Sequence, residues 1–281
     1  MHRFLFAALF AALPMNAIPA ADDAKKLQQE AFDAIKAGKF KEAAELAEKV
    51  AKLEPKSADG PVLAGTAYSR LREQESAIKA FTIALDRDPK RLGIHDSRGD
   101  AYLKSGKWKE AIADFDIFLE AQPKFAADHW RRGIALYYAG RFDDGRKQFD
   151  LHRTVNPEDV ENSAWHYLCN ARANTPETAR KDLIPVSKDT RVPMKQVLEL
   201  FAGKLKPQDV IDAAENSKLE GKELTSARFY AHLYVALYYE SEKDDKKALE
   251  HITAAVEKYK VGDYMWDVGD AHLKMIKAKK K

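Results

Sequence analysis

The apolar and small positions of the chain fall into columns that return every 34 residues. Ala31, Gly65, Gly99 and Gly133 form the first column, and Ala43, Ala77, Ala111 and Gly145 stand twelve residues after them. Ala47, Phe81, Phe115 and Phe149 make a third column, and Val50, Ala84, Phe118 and His152 a fourth. Pro55, Pro89, Pro123 and Pro157 close each period. Four columns in register through four periods predict a repeated supersecondary unit rather than separate elements. Each unit reads as two helices. Small residues in the first two columns let the helices approach closely, and the later apolar columns fill the space between one hairpin and the next. Gly38, Gly106 and Gly140 mark the turn between them, where glycine tolerates the left-handed backbone that ends a helix. Phe40, Trp108 and Phe142 open the second helix, and the proline stops it for want of an N–H and for its clash with the preceding turn.

Beyond Pro157 the strict period lapses. Val160, Trp165, Leu168 and Cys169 lie near helical spacing and predict another first-type helix over 159–173. Thr175, Pro176 and Glu177 give a capped start for a short helix. Pro185 and Pro193 bracket an irregular stretch over 183–192, and helices are predicted at 193–203 and 207–216. A late repeat returns near 225. There Tyr230, Ala231, Tyr234, Val235, Tyr238 and Tyr239 lead to Ala248, Ile252, Ala255 and Tyr259. Residues 262–278 then read as the closing helix that a stack of hairpins needs.

These columns resemble the tetratricopeptide repeat. Gly65, Tyr68, Ala77, Phe81, Ala84 and Pro89 carry its pattern in one period, and Gly99, Tyr102, Gly106, Ala111, Phe115 and Pro123 in the next. The resemblance implies an all-α, right-handed solenoid of helical hairpins with an irregular helical middle and a C-terminal capping helix. It places four repeats at 24–57, 58–91, 92–125 and 126–159, a helical continuation over 160–224, and a late hairpin, cap and basic tail over 225–281. The run Arg132-Gly133-Ile134-Ala135-Leu136-Tyr137-Tyr138-Ala139-Gly140-Arg141, followed by Trp165-His166-Tyr167-Leu168, is similar to a block of the NlpI-type bacterial proteins. That similarity implies an envelope protein that dimerises and acts as an adaptor between periplasmic proteases and peptidoglycan hydrolases. The lipid-anchoring cysteine of that family is absent here.

Composition changes the picture in three ways. Charged residues at 32% and hydrophobic ones at 45% belong to a folded chain rather than a disordered one. A net charge of +3, from 47 basic and 44 acidic side chains, gives no footprint for nucleic acid, although the Lys277–Lys281 tail is locally basic. The N-terminus reads as an export signal. His2 and Arg3 precede the apolar run Phe4–Leu13, Pro14 breaks it, and small residues follow to Ala20 and Ala21. Ten apolar residues fall short of the roughly 20 that span a bilayer. Cleavage after Ala20 is expected to leave a soluble, unlipidated, periplasmic or secreted protein. The single cysteine, Cys169, rules out an intramolecular disulfide.

Catalytic chemistry finds little footing, and no enzyme activity, cofactor or metal is expected. Nucleophile-elbow, P-loop, dinucleotide and paired-cysteine motifs are absent from the sequence. Ser76 and Lys79 have the spacing of an acylating pair, but in register they sit in the opening turn of a second helix around Ala77. His166 and Cys169, with His152, fall short of a zinc set. His152 occupies a packing column, and Cys169 reads as a small apolar residue.

The binding candidates are first-helix positions rotated off the small-residue stripe: Arg70, Asp96, Asp100, Lys104, Trp130, Tyr137 and Tyr138. Aromatic rings beside mixed charges suit an extended peptide, since rings give contact area at low entropy cost and charges fix register. The alternative for Trp130 and Tyr137 is packing against the next hairpin. At the level of function, the leading expectation is a non-catalytic scaffold that binds a protein or peptide. The alternative is a self-assembly module whose dimerising surface is the tyrosine-rich helix 228–240.

Overall fold

The computed structural model describes residues 17–279, all helical or connecting, with no strand among them. The run Phe4–Leu13, on which the export expectation rests, lies outside the described residues. The chain divides into two compact units, residues 1–90 and 91–281.

The first unit holds two hairpins, α1 (Ala17–Lys36) with α2 (Phe40–Leu53) and α3 (Asp59–Arg70) with α4 (Gln74–Arg87). Its core is built on small residues. Ala31, Ala43, Ala47, Ala67, Ala77 and Ala84 are fully buried, with Val50 and Phe81 as larger members.

The second unit begins with hairpins α5 (Gly93–Lys104) with α6 (Trp108–Ala121) and α7 (Trp130–Tyr138) with α8 (Phe142–His152). Next come α9 (Val160–Ala173), α10 (Pro176–Lys181), α11 (Met194–Phe201) and α12 (Pro207–Glu215). The late hairpin is α13 (Gly221–Ser241) with α14 (Asp245–Thr253), which runs on through a π-helical turn, Ala254–Lys258. The last element is α15 (Tyr264–Lys279). Between α10 and α11 the chain is irregular, as the two prolines imply. Ser163 Oγ on α9 donates to the Ile184 carbonyl at 2.7 Å, and the Ser187 and Lys188 amides donate to Glu158 at 2.8 and 3.0 Å. These bonds hold the segment down.

Helix α9 is the hub of this unit. Eleven of its fourteen residues are buried, the condition of a helix packed on all sides, and it meets α7, α8, α10, α11 and α13. The columns explain the hairpins. In three successive periods the Phe ring of the third column lies on the glycine of the first, so a Cβ on Gly65, Gly99 or Gly133 would stand 2.6–2.7 Å from the ring of Phe81, Phe115 or Phe149. The third column therefore packs inside its own hairpin. Turn glycines Gly38, Gly106 and Gly140 have φ of 71°, 80° and 76°, while Arg72 takes the same place in the second period at 63°.

One expectation changes in position. Helix α15 was expected to close the end of the stack, but it lies against α5 as well as the α13–α14 hairpin. The tyrosines of α13 divide, with Tyr230, Tyr238 and Tyr239 half-buried. Tyr234, central to the proposed dimerising face, is fully buried, and its hydroxyl donates to Glu161 at 2.9 Å. Helix α13 spends Tyr234 on the core of its own chain.

Candidate functional site: the face of α5 and α7

Repetition places first helices side by side, so residues one period apart become neighbours. Asp96 on α5 accepts from His129 Nε2 at 2.9 Å and from Arg131 at 2.8 Å. Burial would raise its carboxyl, but the His129 bond and the Arg131 charge bring it below the usual carboxylate range. One turn on, Asp100 accepts from Lys104 at 2.7 Å and from Arg131 at 3.3 Å.

Helix α15 completes this cluster from far along the sequence. Tyr264 donates its hydroxyl to Asp100 at 2.6 Å, its ring lies 4.4 Å beneath the Lys104 ammonium, and Trp130 meets it edge-on at 4.9 Å. Cation–π and charge-assisted contacts of this kind gain strength where water is excluded. Further along, the Tyr138 hydroxyl and His272 Nδ1 are hydrogen-bonded at 3.0 Å, and the Tyr138 ring stacks on Trp108 at 4.5 Å. Under them His272 Nε2 approaches Glu240 to 3.0 Å without hydrogen-bond alignment. Glu240 also takes Arg172 at 2.9 Å. Burial opposes ionisation of Glu240, yet His272 and Arg172 hold its carboxyl down at about 2.

The candidate residues thus part company. Asp100 and Lys104 keep only 13% and 12% of their side chains exposed beneath α15. Tyr137, a binding candidate with packing as its alternative, is buried against Phe142 and Trp165. Tyr138 is tied to α15. Arg70 is exposed at the end of α3 and belongs to the first unit. Of the seven, Trp130 lines a cavity.

That cavity is about 640 Å³ and is bounded by α7, α8, α9, α13 and the start of α15. Trp130, Trp165, Tyr230 and Tyr264 supply its aromatic wall. Asp128, Asp159, Glu161 and Asp263 supply carboxylates, and none of its lining residues is lysine or arginine. Behind the wall Arg191 pairs with Asp159 at 2.8 Å and Glu161 at 2.6 Å. Burial raises the Glu161 carboxyl against the pull of Arg191. Sequence reasoning missed His129, Arg131, Glu161 and Tyr264. Arg131 had a signal, since it follows Asp96 by about one period. Tyr264 had none.

The other candidates settle into structure. Ala77 is buried, which leaves Ser76 and Lys79 on the opening turn of α4. His152 Nδ1 is hydrogen-bonded to the Ala127 carbonyl at 2.8 Å, and His166 Nε2 lies 3.2 Å from Asp150. Burial pushes the Cys169 thiol far up, away from the reactive thiolate. Among the described residues no three His, Cys, Asp or Glu side chains are grouped to hold a metal.

Comparison with known proteins bears on the hairpins. The family model "Tetratricopeptide repeat" matches residues 29–91 and 97–159. Over those two stretches the chain is similar to the tetratricopeptide repeat. Among solved structures, a tetratricopeptide repeat protein from Parabacteroides merdae aligns over 91% of this chain and 99% of its own, with a TM-score of 0.59 and 17% identity. MamA from Desulfovibrio magneticus RS-1 aligns over 57% of this chain and 90% of its own, with a TM-score of 0.53 and 20% identity. MamA of AMB-1 gives 66%, 99%, 0.52 and 19% in the same order. At such identities the likeness is one of fold. No curated protein matches the chain. No described helix is long and apolar enough to cross a membrane.

Proposed function

We propose that this protein is a non-catalytic scaffold of the bacterial cell envelope, holding a protein partner by a segment seated in the cavity beside Trp130. The repeats support the class, since helical-hairpin arrays present long faces suited to extended partners. The single observation that carries the site is the cavity. It is open and aromatic-walled, within the roughly 300–1,000 Å³ typical of ligand sites, whereas Asp100, Lys104 and Tyr138 are engaged by the chain's own α15. An envelope location rests on the Phe4–Leu13 run and on the NlpI-type block around Arg132–Arg141, and adaptor work between proteases and peptidoglycan hydrolases rests on that block alone. N-terminal sequencing of the natural protein is expected to begin near Ala21; an intact Met1 contradicts export.

The binding test is selection of a random-peptide display library on the purified protein, followed by affinities for Trp130→Ala. A partly buried aromatic anchor at the centre of a site is worth roughly 2 kcal/mol or more, so selected peptides are expected to bind the variant at least tenfold more weakly. A library that yields no binders, or binders indifferent to Trp130, overturns the proposal.

A further inference from the structure

We infer that His232 and His251 form a two-histidine chelate for a divalent transition metal, with copper(II) bound most tightly. How the described histidines spend their ring nitrogens sets this pair apart. His95, His129, His166 and His272 each bring one nitrogen to a carboxylate, that of Asp114, Asp96, Asp150 and Glu240 in turn. His152 brings its Nδ1 to the Ala127 carbonyl. His232 on α13 and His251 on α14 turn to each other instead, Nδ1 to Nδ1 at 3.0 Å. Tyr259 lies on the His232 ring at 5.5 Å and Tyr239 against the His251 ring at 5.6 Å, and both histidines are half-buried. Each imidazole is thus supported on one side and not sealed in. Nothing in the sequence marks the pair, because 19 positions separate its members across two helices. Neither residue lines the cavity beside Trp130, so the inference stands apart from the scaffold proposal.

The separation selects the metal. Imidazole nitrogens bind a divalent ion at roughly 2.0–2.1 Å. Two of them 3.0 Å apart then subtend an angle of about 91–97° at a common ion. That is the cis angle of a square-planar or tetragonal centre, whereas a tetrahedral ion asks for about 3.3 Å between the nitrogens. Tetragonal sites with nitrogen ligands suit copper(II) and nickel(II), and copper(II) binds most tightly of the divalent series. Without metal, one Nδ1 carries the proton that joins the pair. On binding, that proton passes to Nε2 of the same ring, so both Nδ1 lone pairs meet the ion and no proton is lost. Water completes the coordination. The surrounding charges are balanced: Glu215 on α12 and Glu250 on α14 act against Lys258 and Lys247. Of these, Glu215 is shared with Arg228, and Lys247 with Asp244 and the Tyr239 ring. An ion held this way ties α13 to α14 and, by binding only the folded chain, stabilises it.

The test titrates the full chain with copper sulfate, in a non-coordinating buffer with glycine as competing chelator. All samples carry His2→Gln, which removes an imidazole beside the terminal amine. One equivalent is expected to bind, with a tetragonal electron paramagnetic resonance signal split by two nitrogens, and to raise the melting temperature. His232→Gln and His251→Gln should each weaken binding by about a hundredfold, the loss of one arm of a chelate, and remove the rise in melting temperature. Nickel sulfate and zinc sulfate are titrated alongside, and nickel is expected to bind more tightly than zinc. A second readout needs no substitution at the site. Copper(II) is paramagnetic, so at substoichiometric metal the ¹H–¹⁵N signals of residues 229–235 and 248–254 should broaden first. Copper binding that survives both substitutions, or that depends on one histidine alone, overturns the inference. So does a one-nitrogen signal, or broadening centred elsewhere in the chain. Zinc bound more tightly than nickel overturns the right-angle geometry. The scaffold proposal is untouched by any of these results.

Discussion

The ring of Phe115 lies where a Cβ on Gly99 would have to go, 2.7 Å from it. Two columns that look independent in the sequence are therefore one contact, repeated at Gly65 with Phe81 and at Gly133 with Phe149. The first period solves the same problem with Ala31 and Ala47, both fully buried and small. Gly99→Ala is expected to cost about 1–3 kcal/mol by overpacking, measured by urea denaturation. Phe115→Leu in the same background should recover part of that loss, a coupling that a double-mutant cycle reads. Purely additive losses would mean the columns do not pack as described. Backbone conformation gives the converse case. Lys243 occupies the α13–α14 turn at φ 63°, exposed and non-glycine, where an L side chain costs roughly 1–2 kcal/mol. Lys243→Gly should raise the melting temperature; no change or a fall counts against the strain. The glycine turns at 38, 106 and 140 were legible because a residue type marks the geometry, and Arg72 and Lys243 were not because nothing in those residues does.

Helices α13 and α14 meet through a histidine pair. His232 Nδ1 and His251 Nδ1 are 3.0 Å apart, so one donates and the other accepts, and both cannot be protonated in place. Burial is the main cause that lowers both, and the charge of His251 lowers His232 further, to about 4. A base whose pKa falls on folding binds its proton more readily in the unfolded chain. Its stabilisation is complete above the ordinary 6.5 and is lost as pH falls from there toward 4. The melting temperature is expected to drop across that window, and His232→Gln should flatten the dependence. A wild-type melting temperature that holds from pH 6.5 to 4 sinks the pairing. At this scale the sequence was informative where a helix announces itself locally. The cap at Thr175, the prolines around 183–192 and the Ala248–Ile252–Ala255 spacing all sit where elements begin, end or pack. The docking of α15 was illegible, because Tyr264 meets Asp100 across 164 positions and no local period encodes that contact.

The two units differ in what they bury. Alanine dominates the first, whereas the second encloses Trp165, Tyr167, Tyr234, Phe149, Phe201 and Phe229. Hydrophobic stabilisation scales with the apolar area removed from water, roughly 25 cal/mol per Å², and a solenoid shares stability only between neighbours. Amides of α1–α4 should therefore exchange with deuterium before those of α9 and α13; matching protection would contradict this. The fold class was readable because every period restates it. Which face stays open was not, since it depends on how much of α5 and α7 the chain covers with its own terminal helix.

The most direct measurement of the central claim is a hydrogen-exchange footprint of a display-selected peptide on the full chain. Protection is expected over residues 130–134 and 160–165 and at the start of α15, the walls of the cavity beside Trp130. Protection confined to the outer faces of α6 and α8, around Ile117 and Leu151, with those walls unchanged, would contradict it.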